Sequence, residues 1–156
     1  MFNRLRRLFR HKKIIVATGG GFDPLHEGHI RLFKEAKKLG DVLVVMLNSD
    51  AQLRQKKGNT FYLSENERKE IVESIRYVDK VIIDPGPDTT CEVALRLIKP
   101  DILAKGGDWT PGNMAQIEIQ VCREIGCKII YNVGGQKVQS SSWLLKRART
   151  ADSRQK

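Results

Sequence analysis

Residues 19–29 read GGGFDPLHEGH and join an apolar run, Lys13–Thr18, to a segment with helical spacing, Gly28–Leu39. The β-branched and apolar residues before the glycines predict a strand, and the apolar residues that recur every three or four positions after them predict a helix. Glycines directly after a strand let the backbone approach a ligand, and the N-terminus of the next helix offers free N–H groups to an anion. The stretch therefore predicts a strand–loop–helix unit with an anion site at its centre.

The rest of the chain continues the alternation of strand and helix. Strands are predicted over Asp41–Asn48, Val78–Asp84, Asp101–Ala104 and Lys128–Tyr131, and helices over Ser64–Tyr77, Thr89–Ile98, Gly112–Ile125 and Ser140–Arg149. Residues 49–63 are mostly polar and are predicted to form a long loop. Such an alternation with short connections implies a parallel sheet between layers of helices. The predicted fold class is α/β, a Rossmann-like three-layer α/β/α arrangement around a mainly five-stranded parallel sheet.

The excess of basic charge lies at the two ends of the chain. The 156 residues carry a net charge of +10, but positions 14–145 contain 17 basic and 17 acidic side chains. We therefore divide the chain into a basic N-terminal arm (residues 1–12), a central domain (residues 13–149) and a basic C-terminal tail (residues 150–156). The arm and the tail are suited to weak contact with an anionic membrane or a nucleic acid.

Composition excludes several classes of protein. Hydrophobic residues make up 40% and charged residues 29% of the chain, a balance typical of globular domains and not of disordered or collagen-like chains. No apolar run approaches the roughly 20 residues that span a bilayer. The three cysteines form no CxxC pair, which favours buried thiols in a reducing cytoplasm over a metal or redox site.

Two histidines flank Gly28 at the start of the first predicted helix. His26 and His29 are three residues apart, so both imidazoles can face one anion, and Gly28 has no side chain to block it. Imidazolium or N–H donors at this position would stabilise charge that grows on a phosphoryl group during displacement. The stretch has neither the Gly-Lys-Ser/Thr of a Walker loop nor the GxGxxG spacing of a dinucleotide site.

Four further polar clusters fall at element boundaries, where ligands of parallel α/β sheets bind. They are Asn48–Asp50 after the second predicted strand, Lys56–Gly58 with Arg68 beyond it, Lys105–Trp109 after the fourth strand, and Gln139–Trp143 before the last helix. Lys105 can neutralise phosphate, Asp108 can accept from a hydroxyl or amine, and Trp109 can cover a base. Serine hydroxyls at a helix N-terminus form an anion site. We expect these clusters to meet at one site.

The pattern Gly-x-Phe-Asp-x-x-His-x-Gly-His, with the other clusters in this order, resembles the cytidylyltransferase-like nucleotidyltransferases over about residues 13–147. That family transfers a nucleotidyl group from an NTP to a phosphate and releases pyrophosphate. The resemblance implies catalytic roles for His26, His29 and Lys57, and acceptor contacts from Asp50 and Lys105. The residues implied to contact the nucleotide are Gly20, Gly21, Phe22, Asp23, Gly28, Arg68, Gly106, Asp108, Trp109, Ser140, Ser141 and Ser142. It also implies Mg²⁺ carried with the NTP, no dedicated metal ligand, and a homodimer.

Different parts of the sequence favour different pairs of NTP and acceptor. Residues 105–109 resemble the nucleotidyltransferase half of ADP-heptose synthase, which favours ATP and a sugar phosphate such as heptose 1-phosphate. Residues 67–79 resemble glycerol-3-phosphate cytidylyltransferase, which favours CTP, although no arginine precedes the serine cluster as it does in that enzyme. Nicotinate- or pantetheine-phosphate adenylyltransferases, an FMN acceptor and a non-catalytic nucleotide- or RNA-binding module are further alternatives.

Overall fold

The computed structural model describes residues 12–152, and its centre is a parallel sheet of five strands. The strands are β1 (Ile15–Gly20), β2 (Val42–Leu47), β3 (Lys80–Ile83), β4 (Ile102–Gly106) and β5 (Lys128–Val133). They lie in the order β3-β2-β1-β4-β5, and every neighbouring pair is parallel. The predicted fold class is thereby confirmed. The basic arm lies outside the described residues except for Lys12, and so do the last four residues of the tail.

Six helices connect or follow the strands within residues 12–152. They are α1 (Glu27–Lys37), α2 (Asp50–Lys57), α3 (Glu65–Glu73), α4 (Glu92–Ile98), α5 (Gln116–Ile125) and α6 (Ser141–Asp152). The last helix extends three residues beyond the predicted end at Arg149, into the segment assigned to the tail. None of the described helices is long and apolar enough to cross a membrane.

Helix α2 corrects the prediction of a long loop over residues 49–63. The Ser49 side chain accepts a hydrogen bond from the Gln52 backbone N–H (3.2 Å), and the Gln52 side chain accepts one from the Ser49 N–H (3.0 Å). These reciprocal bonds form a capping box, which satisfies two donors at the start of a helix. Only Gln52 and Leu53 of this helix are buried. The segment therefore carries no apolar periodicity, which is why hydrophobic spacing failed to predict it.

The core lies in two layers, one on each face of the sheet. Residues from α1, α3 and one face of the strands form the first layer, with Phe33 and Val45 at its centre. Residues from α4, α5 and the other face form the second, with Leu95 and Leu103 at its centre. The three cysteines are buried in this second layer, which confirms the prediction of small apolar fillers.

The strand order creates a gap at the carboxyl edge of the sheet. The chain runs outward from β1 through β2 to β3 and then returns to β4 on the opposite side of β1. The loops that follow β1 and β4 therefore leave the sheet in opposite directions, and a crevice opens between them. This topological switch point is where open α/β sheets bind their ligands.

Arg68 on α3 ties the loops at this edge together. Its side chain is fully buried, and its guanidinium group donates to the backbone carbonyl groups of Gly21 (2.9 Å), Asn48 (2.8 Å) and Leu63 (3.0 Å). A fourth bond reaches the Asp50 carboxylate at 2.7 Å. One side chain thus satisfies carbonyl groups that follow β1 and β2 and precede α3, where no sheet partner reaches them.

We expect Arg68→Met to lower the free energy of unfolding by about 3–5 kcal/mol, because it leaves buried acceptors and a carboxylate without their donor. Urea unfolding monitored by circular dichroism measures the change. Arg96→Ala is the matched control, since Arg96 also pairs with two carboxylates but lies exposed on the surface, and its loss should be much smaller. Equal losses for the two variants would contradict the assigned role of Arg68.

Candidate active site at the carboxyl edge of the sheet

A cavity of about 910 Å³ opens at the carboxyl ends of β1 and β4. Its volume is in the range of pockets that take a small-molecule ligand. The structure brings all but three of the predicted site residues into its lining. Those that line it are Gly20, Gly21, Phe22, His26, Gly28, His29, Lys57, Lys105, Gly106, Asp108, Trp109, Ser140, Ser141 and Ser142.

His26 and His29 lie against each other at the start of α1. Their rings are stacked with centroids 3.6 Å apart, and the edge of the Phe22 ring packs against His29 at 4.9 Å. A Cβ atom at position 28 would lie 3.1 Å from two atoms of the His26 ring. Glycine at this position therefore leaves room for the imidazole as well as for a ligand, as the sequence predicted.

The surroundings of both histidines lower their pKa values and so favour the neutral form. Burial lowers the pKa of His29 to about 3, and the nearby His26 and Lys57 act in the same direction. Burial and the positive charges of Lys137 and Lys57 likewise lower the pKa of His26. The backbone N–H of His26 donates to Nδ1 of His29 at 3.3 Å, so the proton of the neutral His29 ring lies on Nε2. His29 thus offers one N–H donor and carries no charge.

Two helix N-termini meet at the cavity. The Ser141 hydroxyl donates to the Pro24 carbonyl at 2.9 Å and so fastens the start of α6 to the loop before α1. The Ser140 hydroxyl accepts from the Trp143 backbone N–H (3.2 Å) and lies 3.0 Å from the Ser142 hydroxyl. Because first-turn N–H groups have no partner inside their own helix, this corner of the cavity favours an anion.

Two lysines of α2 reach the cavity. Lys57 donates to the Asp23 carbonyl oxygen (2.8 Å), and Lys56 donates to Oδ1 of Asn48 (3.2 Å). Both partners are neutral oxygens, and within residues 12–152 neither lysine has a carboxylate at ion-pair distance. Desolvation lowers the pKa of each ammonium group. Both lysines belong to the Lys56–Gly58 cluster that the sequence predicted for the site, and Lys57 was the one assigned a catalytic role.

The inner wall of the cavity carries a buried ion pair. Lys105 Nζ lies 2.8 Å from Oε2 of Glu118, and both side chains are 8% exposed. The other carboxylate oxygen of Glu118 accepts from the Cys91 backbone N–H at 3.0 Å. The ammonium group also lies 4.8 Å from the centroid of the Trp109 ring. Lys105, predicted to bind phosphate, therefore already has a counter-ion.

The outer rim is closed by residues that follow β4 and β5. Lys137 forms an ion pair with Asp108 (2.9 Å), and its ammonium group lies 5.8 Å from the centroid of the Trp143 ring. The ion pair with Lys137 is the largest of the influences that lower the pKa of Asp108. Trp109 is 42% exposed and so presents a free aromatic face beside the cavity.

Three predicted site residues do not line the cavity. The Asp23 carboxylate accepts the backbone N–H groups of Tyr62 (2.9 Å) and Leu63 (3.2 Å), which pins the loop before α3. Arg68 and Asp50 are bonded to each other at 2.7 Å, and the other hydrogen bonds of Arg68 go to backbone carbonyl groups. Their placement favours positioning of the site over direct contact with a ligand, and the contacts assigned to them from the sequence stay predictions.

Sequence reasoning missed Glu118 and Lys137. A sequence signal for Glu118 was present: it lies three and four residues before Val121 and Cys122, which puts a carboxylate on the buried face of α5. Lys137 had no such signal, because exposed loops carry lysines routinely and only the chain path brings this one to the cavity.

No group of three or more His, Cys, Asp or Glu side chains in residues 12–152 is arranged to hold a metal ion. The acidic side chains that line the cavity, Asp108 and Glu118, each have a lysine partner. A divalent cation that uses ligand phosphate oxygens and water needs no such group.

Residues 17–145 match the family described as cytidylyltransferase-like. The chain is similar to bifunctional proteins HldE from Syntrophotalea carbinolica (45% identity over 65% of this chain and 21% of that protein) and Desulfatibacillum aliphaticivorans (38% over 88% and 27%). It is also similar to the FAD synthase of Thermococcus sibiricus (42% over 64% of this chain and 66% of that protein). The chain thus spans about a quarter of the length of the HldE relatives.

One solved structure has the same fold over most of both chains. The lipopolysaccharide core biosynthesis protein from Thermoplasma volcanium GSS1 is 32% identical, with a TM-score of 0.67, over 78% of this chain and 97% of that one. With the histidine pair and both helix N-termini at the switch-point cavity, and with the family match over nearly the whole described chain, this protein belongs to the cytidylyltransferase-like family.

Proposed function

We propose that this protein is a nucleotidyltransferase that moves a nucleotidyl group from an NTP to a phosphorylated acceptor and releases pyrophosphate. The observation that carries the proposal is the stacked His26–His29 pair at a cavity where two helix N-termini converge. Family membership and the HldE and FAD synthase relatives support the same class of reaction.

The proposed reaction is a single in-line displacement. An oxygen of the acceptor phosphate attacks the α-phosphorus of the NTP, the new P–O bond forms as the bond to the β-phosphate bridging oxygen breaks, and the electron pair leaves with pyrophosphate. His29 donates a hydrogen bond from Nε2–H to an oxygen of the α-phosphate, where negative charge builds up. A neutral imidazole with so low a pKa stabilises this charge as a donor and does not act as a proton carrier.

Phosphate binding is assigned to the surrounding donors. The N-termini of α1 and α6 face the same region, and Lys57 adds a positive charge beside the histidine pair. These groups are fixed by bonds to Pro24 and Asp23 before any ligand binds, so little reorganisation is needed. Mg²⁺ bound to the triphosphate would neutralise part of its charge, and we expect it to be held by phosphate oxygens and water.

For substrates, we favour ATP and a sugar phosphate such as heptose 1-phosphate. The HldE relatives and the Lys105–Trp109 cluster support this choice. FMN with ATP is the second candidate, favoured by the FAD synthase relatives. Glycerol 3-phosphate with CTP is the third, supported by residues 67–79 of the sequence.

Pyrophosphate release in the presence of Mg²⁺ tests the proposal, with each of the four NTPs combined with heptose 1-phosphate, FMN, glycerol 3-phosphate, nicotinate mononucleotide and phosphopantetheine. We expect one pair to react well above all others. If no pair reacts and no NTP raises the melting temperature, the nucleotidyltransferase proposal is wrong and a non-catalytic module becomes the better account. Light scattering of the same sample tests the expected homodimer.

His29→Ala should lower kcat by about two to three orders of magnitude, the effect of losing one donor to a developing negative charge. His29→Gln keeps an N–H donor and should recover part of the loss. Lys34→Ala, on the exposed side of the same helix, is the control and should leave kcat unchanged. Activity of His29→Ala within threefold of wild type would exclude the donor role.

The low pKa of His29 predicts that its ring stays neutral from pH 8 down to about pH 4. Below about pH 6.5 an unfolded histidine binds a proton that His29 of the folded protein does not bind. Through this group, the free energy of unfolding therefore decreases as the pH falls below about 6.5. Nitrogen-15 NMR of the His29 imidazole should show a protonated Nε2 and an unprotonated Nδ1 at pH 5.5. A titration midpoint near 6.5 for His29 would contradict the assignment.

A further inference from the structure

Lys105 and Glu118 form a buried ion pair. This distinguishes them from Lys56 and Lys57, whose hydrogen-bond partners are neutral oxygens, and from the Lys137–Asp108 pair, which is exposed. Residues 105 and 118 are only 7% and 6% exposed, yet both line the cavity. Burial raises the pKa of Glu118, but the charge and hydrogen bond of Lys105 and the Cys91 N–H together hold it below its usual value. Glu118 is therefore an ionised carboxylate with a fixed position.

The lysines of α2 lie beside different groups of the cavity. Lys57 is bonded to a neutral oxygen and its charge acts on the histidine pair, so its positive charge is available to phosphate groups. Lys56 is also bonded to a neutral oxygen, but the charges of Glu118 and Lys105 act on it, so it lies beside that pair. Lys105 is neutralised at 2.8 Å, so it attracts a phosphate far less strongly. Removing two charges from water is costly and is seldom a source of net stability. A buried pair that faces a cavity is therefore more useful for recognition than for folding.

We propose that Glu118 is a specificity-determining residue, and that the Lys105–Glu118 pair binds a hydroxyl group of the acceptor. This inference rests on the proposed nucleotidyltransferase function. A hydroxyl group donates one hydrogen bond and accepts others, and the pair presents an acceptor and a donor side by side. Glu118 accepts from the hydroxyl group, and one of the two remaining N–H bonds of Lys105 donates to its oxygen.

The surroundings fit this assignment. The Cys91 N–H fixes one carboxylate oxygen and Lys105 fixes the other, and each oxygen keeps a second lone pair. The Trp109 ring covers one side of the ammonium group and limits its access to water. An acceptor that lacks the hydroxyl group would leave a second lone pair of Glu118 and an N–H bond of Lys105 unsatisfied in a buried position, which is how such sites reject deoxy analogues.

The test measures transfer to heptose 1-phosphate and to glycerol 3-phosphate, and to the monodeoxy analogues of each, in which one hydroxyl group at a time is removed. Wild type and Glu118→Gln are compared. In the wild type, removal of one particular hydroxyl group should raise the acceptor KM at least about tenfold. In Glu118→Gln the KM of the intact acceptor should rise by a similar factor, while the KM of the NTP should change less than threefold. The ratio of the KM of the deoxy analogue to the KM of the intact acceptor should fall towards one in this variant.

Inorganic phosphate gives a readout that a purely structural role would not move. Glu118→Gln frees the charge of Lys105, so phosphate should inhibit this variant at a lower concentration than it inhibits wild type. Glu124→Gln, an exposed carboxylate on the same helix, is the matched control and should behave as wild type in both assays. The comparison of intact and monodeoxy acceptors in the wild type needs no variant, so it tests the inference even if Glu118→Gln fails to fold.

The outcomes separate the two claims. Wild-type protein that transfers nucleotide to these acceptors but tolerates the loss of every hydroxyl group equally would overturn this inference alone. So would a Glu118→Gln variant with an unchanged acceptor KM. Wild-type protein that releases pyrophosphate with no acceptor would overturn the proposed function, and the inference with it.

Discussion

The carbonyl groups at the carboxyl edge of the sheet must find donors after their strands have ended, and a buried guanidinium group supplies them. Arg68 bonds to the loops that follow β1 and β2 and to the turn before α3, and Asp23 fixes the same turn from the other side. Buried polar groups are costly when unpaired, so these bonds leave the loops a single arrangement. The glycine loop, the histidine pair and α2 all take their positions from it.

The proposed reaction assigns three different roles to groups that line the cavity. In the proposed reaction, His29 at the start of α1 donates an N–H where charge would develop, and Lys57, which has a neutral oxygen as its partner, would provide charge for phosphate. The Lys105–Glu118 pair, in contrast, presents a donor and an acceptor with little net charge. The proposed tasks, which need different electrostatics, are thus assigned to different elements that meet at one edge of the sheet.

The fold and most of the site could be predicted from the sequence because their signals are local. Strand and helix periods are read from neighbouring residues, and the sheet then brings the ends of β1, β2 and β4 together. Helix α2 was not predicted because a capping box and one buried apolar residue stabilise it, which leaves no apolar periodicity. The hydrogen bonds of Arg68 could not be predicted either, because they join its side chain to loops far along the chain. The counter-ion of Lys105 was missed for the same reason, since Glu118 reaches it only in the folded chain.

In the proposed reaction, an acceptor phosphate oxygen attacks the α-phosphorus of an NTP in this cavity. Mass spectrometry of a reaction run with an acceptor labelled with ¹⁸O in its phosphate group tests this step. We expect every labelled oxygen to stay in the nucleotidyl product, with one of them bridging the two phosphorus atoms, and pyrophosphate to carry none. Label in pyrophosphate, or release of free nucleoside monophosphate without a joined product, would contradict it.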